Sequence, residues 1–517
     1  MEDDLNAAYR LGADVNASDT VGWHGGAGFD PIGNGSQRFN GAFDGAGYTI
    51  TELHVNRSTA DYVGLFSTVA DSGIIGNVTL TEVVIDGSDR VGGLVGDNRG
   101  TVRNGSATGT VDGSLLVGGL VGFNSEEGTV RNASASGAVD GSNFVGGLVG
   151  RNDGTVRNVS ATGAVTGSSD VGGLIGNNQG TVRSASATGA VDGSTGVGGL
   201  VGDSGGTVGN AFATGAIDGS KYVGGLVGDN GGTVRSASAT GAIDGSTGVG
   251  GLVGRNDGTV RNASATGAVT GSVLVGGLVG WNGVFNGGTV RNAFATGAVT
   301  GSNQVGGLVG QNGGLSEGTV RKSFATGAVN GSDRVGGLVG FNRGGAVKNA
   351  FATGAVTGSK GVGGLVGDNR GTVRSTFATG AVDGSNQVGG LVGTNDDGSV
   401  SESYWNVKTT GQPTSSGGIG LTTAQMTGNA ARTHMTGLAF GTVWQTRIYE
   451  YPVLRTQPTD PTEPIRPETR TDAGQRTDET GTPGQATFAL VIGAAIAGIG
   501  GAGYILKRRL DSEDDEQ

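Results

Sequence analysis

A stretch of about two dozen residues, VGGLVGDNRGTVRNGSATGTVDGS at 91–114, recurs so faithfully that the chain has to build a stack of equivalent units. Copies begin at Val91, Val117, Val145, Val171, Val197, Val223, Val249, Val275, Val305, Val335, Val362 and Val388, and a degenerate VGLF copy begins at Val63. Most spacings are 26 residues, and the exceptions are 27, 28, 30 and 30. A unit this short cannot bury its own apolar face, so neighbouring copies must do it for one another.

Several kinds of solenoid are excluded at once. A leucine-rich repeat needs several leucines per unit, and each copy here has about one. A helical repeat needs a 3.6-residue apolar period and few glycines, whereas Gly supplies 111 of the 517 residues without a Gly-X-Y period. The β-branched runs VGGLVG, GTV and ATGAV are instead separated by DG, NG and GS turns. The sequence therefore predicts an all-β fold, a β-solenoid of about 12–13 coils of ~26 residues. With coils about 4.8 Å apart it would be a rod roughly 60 Å long. Alternation of buried and exposed positions does not run unbroken through VRNASATGAV, so not every side chain can be given a face.

One polar column should be structural. Asn98, Asn124, Asn152, Asn178, Asn230, Asn256, Asn282, Asn312, Asn342, Asn369 and Asn395 follow the glycine run in successive copies, with Ser204 the sole departure. Stacked amides at a coil corner can tie up turn backbone and bond along the stack. The length changes all fall just after this Asn, as SEE (125–127), GVFNG (283–287), GGLSE (313–317) and RGG (343–345), which places them on one accessible loop edge.

The GLVG core of VGGLVG, its spacing and SATGAV together resemble GLUG-motif repeats of bacterial and archaeal surface proteins. GFDPIGNGSQRFNGAFDGAGYTITELHV (28–55) resembles the opening segment of such domains. SYWNVKTTGQPTSSGGIGLTTAQM (403–426) and YPVL (451–454) resemble the closing one. The resemblance implies an adhesin-like surface protein, or an appendage of a larger enzyme. Members are sometimes joined to zinc peptidases, but no such catalytic part is present in this sequence.

The ends suggest an address. The organisation expected is a capping segment (1–62), the repeats (63–400), a closing segment (401–455) and a Thr/Pro-rich disordered stalk (456–485). A transmembrane helix (486–506) and a basic-led cytoplasmic tail (507–517) complete it. Lys507, Arg508 and Arg509 put the C-terminus inside and the solenoid outside the cell membrane, single-pass. The order resembles archaeal sorting signals that open Pro-Gly-Phe, but Pro483-Gly484-Gln485 stands here, so a retained helix is expected. The first residues, MEDDLNAAYR, lack a basic and then apolar leader, so an exported chain implies a start further upstream.

A net charge of −12 argues against nucleic acid as a partner. Lysine is confined to Lys221, Lys322, Lys348, Lys360, Lys408 and Lys507, and cysteine is absent. An acidic, lysine-poor surface of this kind suits molar salt, where the Debye length falls to about 3 Å, and points to a halophilic archaeon. No cofactor is expected, and His24, His54 and His434 form no metal-binding pattern.

Three constellations are candidates for recognition or chemistry. Trp281, Val284, Phe285, Leu315 and Phe341 lie on the loop edge of three successive coils, with Phe123 an aromatic in the same column. They could bind a sugar or a protein partner, unless the loops fold over their own aromatics. Asp192, Asp218 and Asp244 share a column and are weak metal candidates and the best foothold for an enzyme, unless each simply caps its DG turn. Arg103, Arg131, Arg157, Arg183, Arg235, Arg261, Arg291, Arg321, Lys348 and Arg374, interrupted by Gly209, form a basic stripe. The stripe could grip anionic glycan, or be a solvated face paired with neighbouring Asp. Sequons at Asn16, Asn34, Asn56, Asn77, Asn104, Asn132, Asn158, Asn262 and Asn330 could carry glycans, although the repeat generates NAS and NGS by itself. The function expected is non-catalytic adhesion or cell-envelope interaction with a glycan or surface protein. The alternative is an enzyme or appendage that processes envelope polysaccharide.

Overall fold

The computed structural model describes Met1 and residues 4–455; the expected stalk, membrane span and tail at 456–517 lie outside the described residues. Within them the chain winds as a succession of short strands into a parallel β-solenoid. One coil shows the pattern: Asn143–Gly146, Val149–Asn152, Thr155–Ala161 and Val165–Thr166. The first of these belongs to a 12-stranded sheet running from Asp89–Gly92 to Asn386–Gly389. The second belongs to a 13-stranded sheet from Phe66–Val69 to Val392–Asn395. The other two build a third sheet, which reaches from Ala8–Arg10 to Ile419–Leu421 and so draws strands from the capping and closing segments as well.

Register is strict because each repeat position stacks on itself. Val117 sits beside Val145 and Val171, Val130 beside Val156 and Val182, and Val139 beside Val165 and Val191. Val145, Leu148, Val149, Val156 and Val165 are all buried, the Leu filling the corner between the first two strands. Each such side chain contributes roughly 1.5–3 kcal/mol when fully buried. A branched residue also fits the pleat, which is why valine holds most of these columns.

The predicted amide ladder is present. Asn98 Nδ2 donates to Asn124 Oδ1 at 2.7 Å, Asn124 to Asn152 at 2.7 Å and Asn152 to Asn178 at 2.8 Å. From Asn230 the same bonds run unbroken to Asn395, at 2.6–2.9 Å. Each amide also donates to a turn carbonyl of its own coil, such as Gly128 or Gly288. Ser204 breaks the run. It accepts from Asn178 at 3.2 Å but gives nothing onward, and the buried Asn230 Oδ1 is left without a partner. Ser204→Asn should therefore stabilise the protein by about 1–2 kcal/mol, since a buried acceptor gains its donor. A higher denaturant midpoint at unchanged slope is the expected result, and a lower midpoint would show that this coil has no room for the amide.

The closing segment turns back along the third sheet. Phe294, Phe324, Phe351 and Phe377 stack at 5.0–5.1 Å between centroids, continuing the column that holds Ser106, Ser134, Ser160 and Ser186 in earlier coils. Trp444 packs on Phe351 and Phe377, and Tyr451 on Phe377, with Met426, Met435, Leu438 and Leu454 completing the cluster. The helices Thr423–Met426 and Ala430–His434 and the antiparallel pair Trp444–Gln445 and Val453–Leu454 supply these groups. Among the described residues no helix is long and apolar enough to cross a membrane.

Candidate functional site in the outward columns

Because the inward columns are constant, whatever the solenoid recognises must be read from its outward ones. On the loop edge, the segments 283–287 and 313–317 stack on each other through Leu315 N–H to Val284 O at 2.9 Å and the Ser316 hydroxyl to Phe285 O. Asp257, one coil below, anchors them: its Oδ1 accepts from the N–H of Val284 at 2.7 Å and of Phe285 at 2.8 Å. Trp281 is half-buried, with Nε1 donating to Gly313 O at 3.2 Å. Val284 and Phe341 are buried, the latter between the guanidinium groups of Arg334 and Arg370. The expected five-residue platform is thus smaller in the fold. Leu315 is 81 % exposed and Phe285 53 % exposed, the latter with the Arg255 guanidinium over its ring, and Trp281 is only partly exposed.

Asp192, Asp218 and Asp244 do stack in register and line one shallow groove with Ala190, Ile217 and Ala242. Their side chains are exposed, and none caps its turn or pairs with a described residue, contrary to the turn-cap expectation. Among the described residues no group of three or more His, Cys, Asp or Glu could hold a metal ion. His24 and His434 use Nδ1 on the carbonyls of Gly28 and Ala430.

Sequon asparagines owe much to backbone geometry. Asn77, Asn104, Asn132, Asn158 and Asn262 have φ of 51–55°, a left-handed conformation that Asn adopts more readily than most residues. Asn104, Asn132 and Asn158 also form a second, exposed ladder, each amide donating one coil back at 2.8–3.2 Å. Asn16, Asn34, Asn56 and Asn330 are exposed.

The basic stripe is in register from Arg103 to Arg374. Arg374 pairs with Glu402 through two 2.9 Å hydrogen bonds. Pairing with neighbouring Asp, however, is not what the stripe does: Arg131, Arg157, Arg183, Arg235 and Arg261 form no ion pair with a described residue. The Asp columns lie on a different strand of the coil.

Sequence reasoning missed a seam where arginines do find partners. It joins the column just before each first-sheet valine to the column just before each ladder Asn. Arg90 lies over Tyr62 and Phe123, and Arg151 also lies over Phe123. Further along, Arg255 lies over Tyr222 and donates to Asp229 at 2.9 Å. Burial, with repulsion from Asp203 and Asp229, pushes the Asp170 carboxyl from 3.8 up to about 7. Burial also raises Asp203, and raises Asp229 to about 6 against the pull of Arg255. The folded chain thus holds protons that the unfolded chain has released, so stability falls as pH rises from about 4 to about 7. A lower denaturant midpoint at about pH 8 than at about pH 5 is expected, with Asp170→Asn flattening the difference. A midpoint that climbs over this range would contradict the assignment.

The repeat also matches known proteins. The family model "The GLUG motif" matches residues 113–140, 141–166, 245–270, 301–330 and 331–357. Over 105 residues, 20 % of this chain, the sequence is 49 % identical to Halomucin of Haloquadratum walsbyi. Over 83 residues, 16 % of this chain, it is 40 % identical to a Gly-rich membrane protein of Evansella cellulosilytica. The chain spans 1 % and 10 % of the length of these relatives. A solved Bacteroides ovatus structure named for immunoglobulin A1 protease covers 87 % of this chain at 14 % identity, but with a TM-score of 0.23, too low to bear on fold or activity. Five stretches of the stacked coils described above match the GLUG motif, and those coils form a parallel β-solenoid.

Proposed function

We propose that this chain is a non-catalytic solenoid displayed at the surface of a halophilic cell, where it acts in adhesion or envelope interaction. The observation that carries the reading is the division of labour within each coil. Val, Leu, Gly and ladder Asn repeat nearly unchanged, while the outward seam holds Arg90, Phe144, Asp170, Tyr222 and Arg334 at equivalent positions. A constant scaffold carrying a varied surface suits extended contact with another surface. Two relatives support the address: one is named a membrane protein, and Halomucin belongs to a halophilic archaeon. In this reading the segment 486–506 anchors the chain by a single pass, with the coils outside.

The test is binding of the full chain to haloarchaeal cells and to their isolated envelope polysaccharide, with release of reducing sugar followed in the same samples. Binding without release is the expected result. Sugar release would place the enzyme alternative first and direct attention to Asp192, Asp218 and Asp244.

A further inference from the structure

We propose that the outward strip of the third sheet between Thr101 and Arg261 is a docking track for a linear polyanionic glycan bearing about one carboxylate or sulfate per sugar. The inference rests on the surface-display reading and names the ligand class for it. In the coils of this region other than Thr207–Ala213, Val and Ala of the strand point inward, while Thr, Arg and Ser point outward, as in Thr129, Arg131 and Ser134. Stacking repeats these groups at the strand spacing of ~4.8 Å. The result is a row of guanidinium groups flanked by hydroxyls, and a chain of acidic sugars has its charges on a comparable pitch.

The cations are available. Arg131, Arg157, Arg183, Arg235 and Arg261 form no ion pair with a described residue, although acidic residues outnumber basic ones in the chain, 45 to 33. Guanidinium groups bind carboxylate and sulfate through paired hydrogen bonds as well as charge, so part of the attraction survives salt that screens simple Coulomb forces.

One coil marks the track. Between Thr207 and Ala213 two positions change together: Gly209 replaces Arg, and Phe212 replaces Ser. Phe212 is 46 % exposed, whereas Phe294, Phe324, Phe351 and Phe377 in the same column are covered by the closing segment. Its neighbours Ser186 and Ser238 show that the fold does not need an aromatic ring there. Gly209 leaves a notch over which Arg235 leans, its Cγ, Nε and Cζ 3.4 Å from where a Cβ would stand. A sugar ring can lay its apolar face on Phe212 while its acidic neighbours reach Arg183 and Arg235.

The experiment measures binding of the full chain to immobilised heparin, polygalacturonate and neutral dextran over salt from about 0.15 to 1 M. Both polyanions should bind and dextran should not, with affinity falling as salt rises. The triple variant Arg131→Gln, Arg157→Gln, Arg183→Gln should weaken binding at least tenfold and flatten the salt dependence. Phe212→Ser, which copies the adjacent coils and so should fold, is expected to weaken binding about fivefold with the salt dependence unchanged. Polyanion binding that ignores both variants would overturn the track. A chain that binds cells but neither polyanion would also overturn it while leaving the display reading intact. A chain that binds the polyanions but not cells would count against the display reading alone.

Discussion

Gly254→Ala should unfold the middle of the solenoid. A Cβ at this position would lie 2.5 Å from the Tyr222 carbonyl carbon and 2.6 Å from Val223 N and Gly228 O. All three are backbone atoms of strands held by hydrogen bonds on both sides, so no side chain can swing away to make room. The first and second sheets approach here backbone to backbone, and that closeness is what the repeated VG pairs permit. We expect a loss of roughly 4 kcal/mol or more, in the range reserved for overpacked or strained core sites. Denaturant unfolding followed by circular dichroism checks the size. Amide exchange checks the place, because protection should drop first in the coils around Val223–Asn282. Gly231→Ala is the companion: the nearest atom to its Cβ would be Ser204 O at 4.0 Å, and it should be nearly neutral. Equal effects at the two sites would mean that the sheets are not packed through these glycines.

The period, the all-β class and the amide ladder were legible because each is written many times, and repetition averages away local ambiguity. The faces of VRNASATGAV were not legible, and the reason is a single conformation. Asn132, Asn158 and Asn262 adopt positive φ in mid-strand, which resets the alternation so that Arg131 and Ser134 point outward on either side of it. A strand read by period two alone cannot show that step. The Phe column had a signal that went unused. NAF, KSF, NAF and STF replace NAS in the later copies, and such a run of rings on an outward column announces something folding over it. The aromatic loop edge was overestimated for a similar reason: Phe341 is occupied between Arg334 and Arg370, partners from the column before the first-sheet valine and from the next coil's loop. The same seam buries Asp170 and Asp229, and that burial raises both carboxyls. Position within a coil, which stacking determines, decides which carboxylates leave water.

Asn256→Ala tests the ladder where it is continuous on both sides. The residue is fully buried; its Oδ1 accepts from Asn230 at 2.6 Å, and its Nδ2 donates to Asn282 Oδ1 at 2.7 Å and to Gly258 O at 3.3 Å. Truncation removes all three bonds and strands Asn282 Oδ1 in a dry corner, while Asn230 Oδ1 on the other side of the gap already lacks a donor. At about 1 kcal/mol per net bond, plus about 1–3 for the stranded group, the loss should be about 4–6 kcal/mol. Asn256→Ser should cost less, because a serine can still accept from the coil below, as Ser204 does from Asn178. A solenoid is stabilised chiefly by nearest-neighbour contacts, so the damage should appear as an early unfolding phase of adjoining coils while distant coils hold. Amide exchange at Gly258 and Thr259 should report it most directly. Equal and small effects for Ala and Ser would show that the stacked valines alone set the register, and that the asparagines are there only to shape the turn.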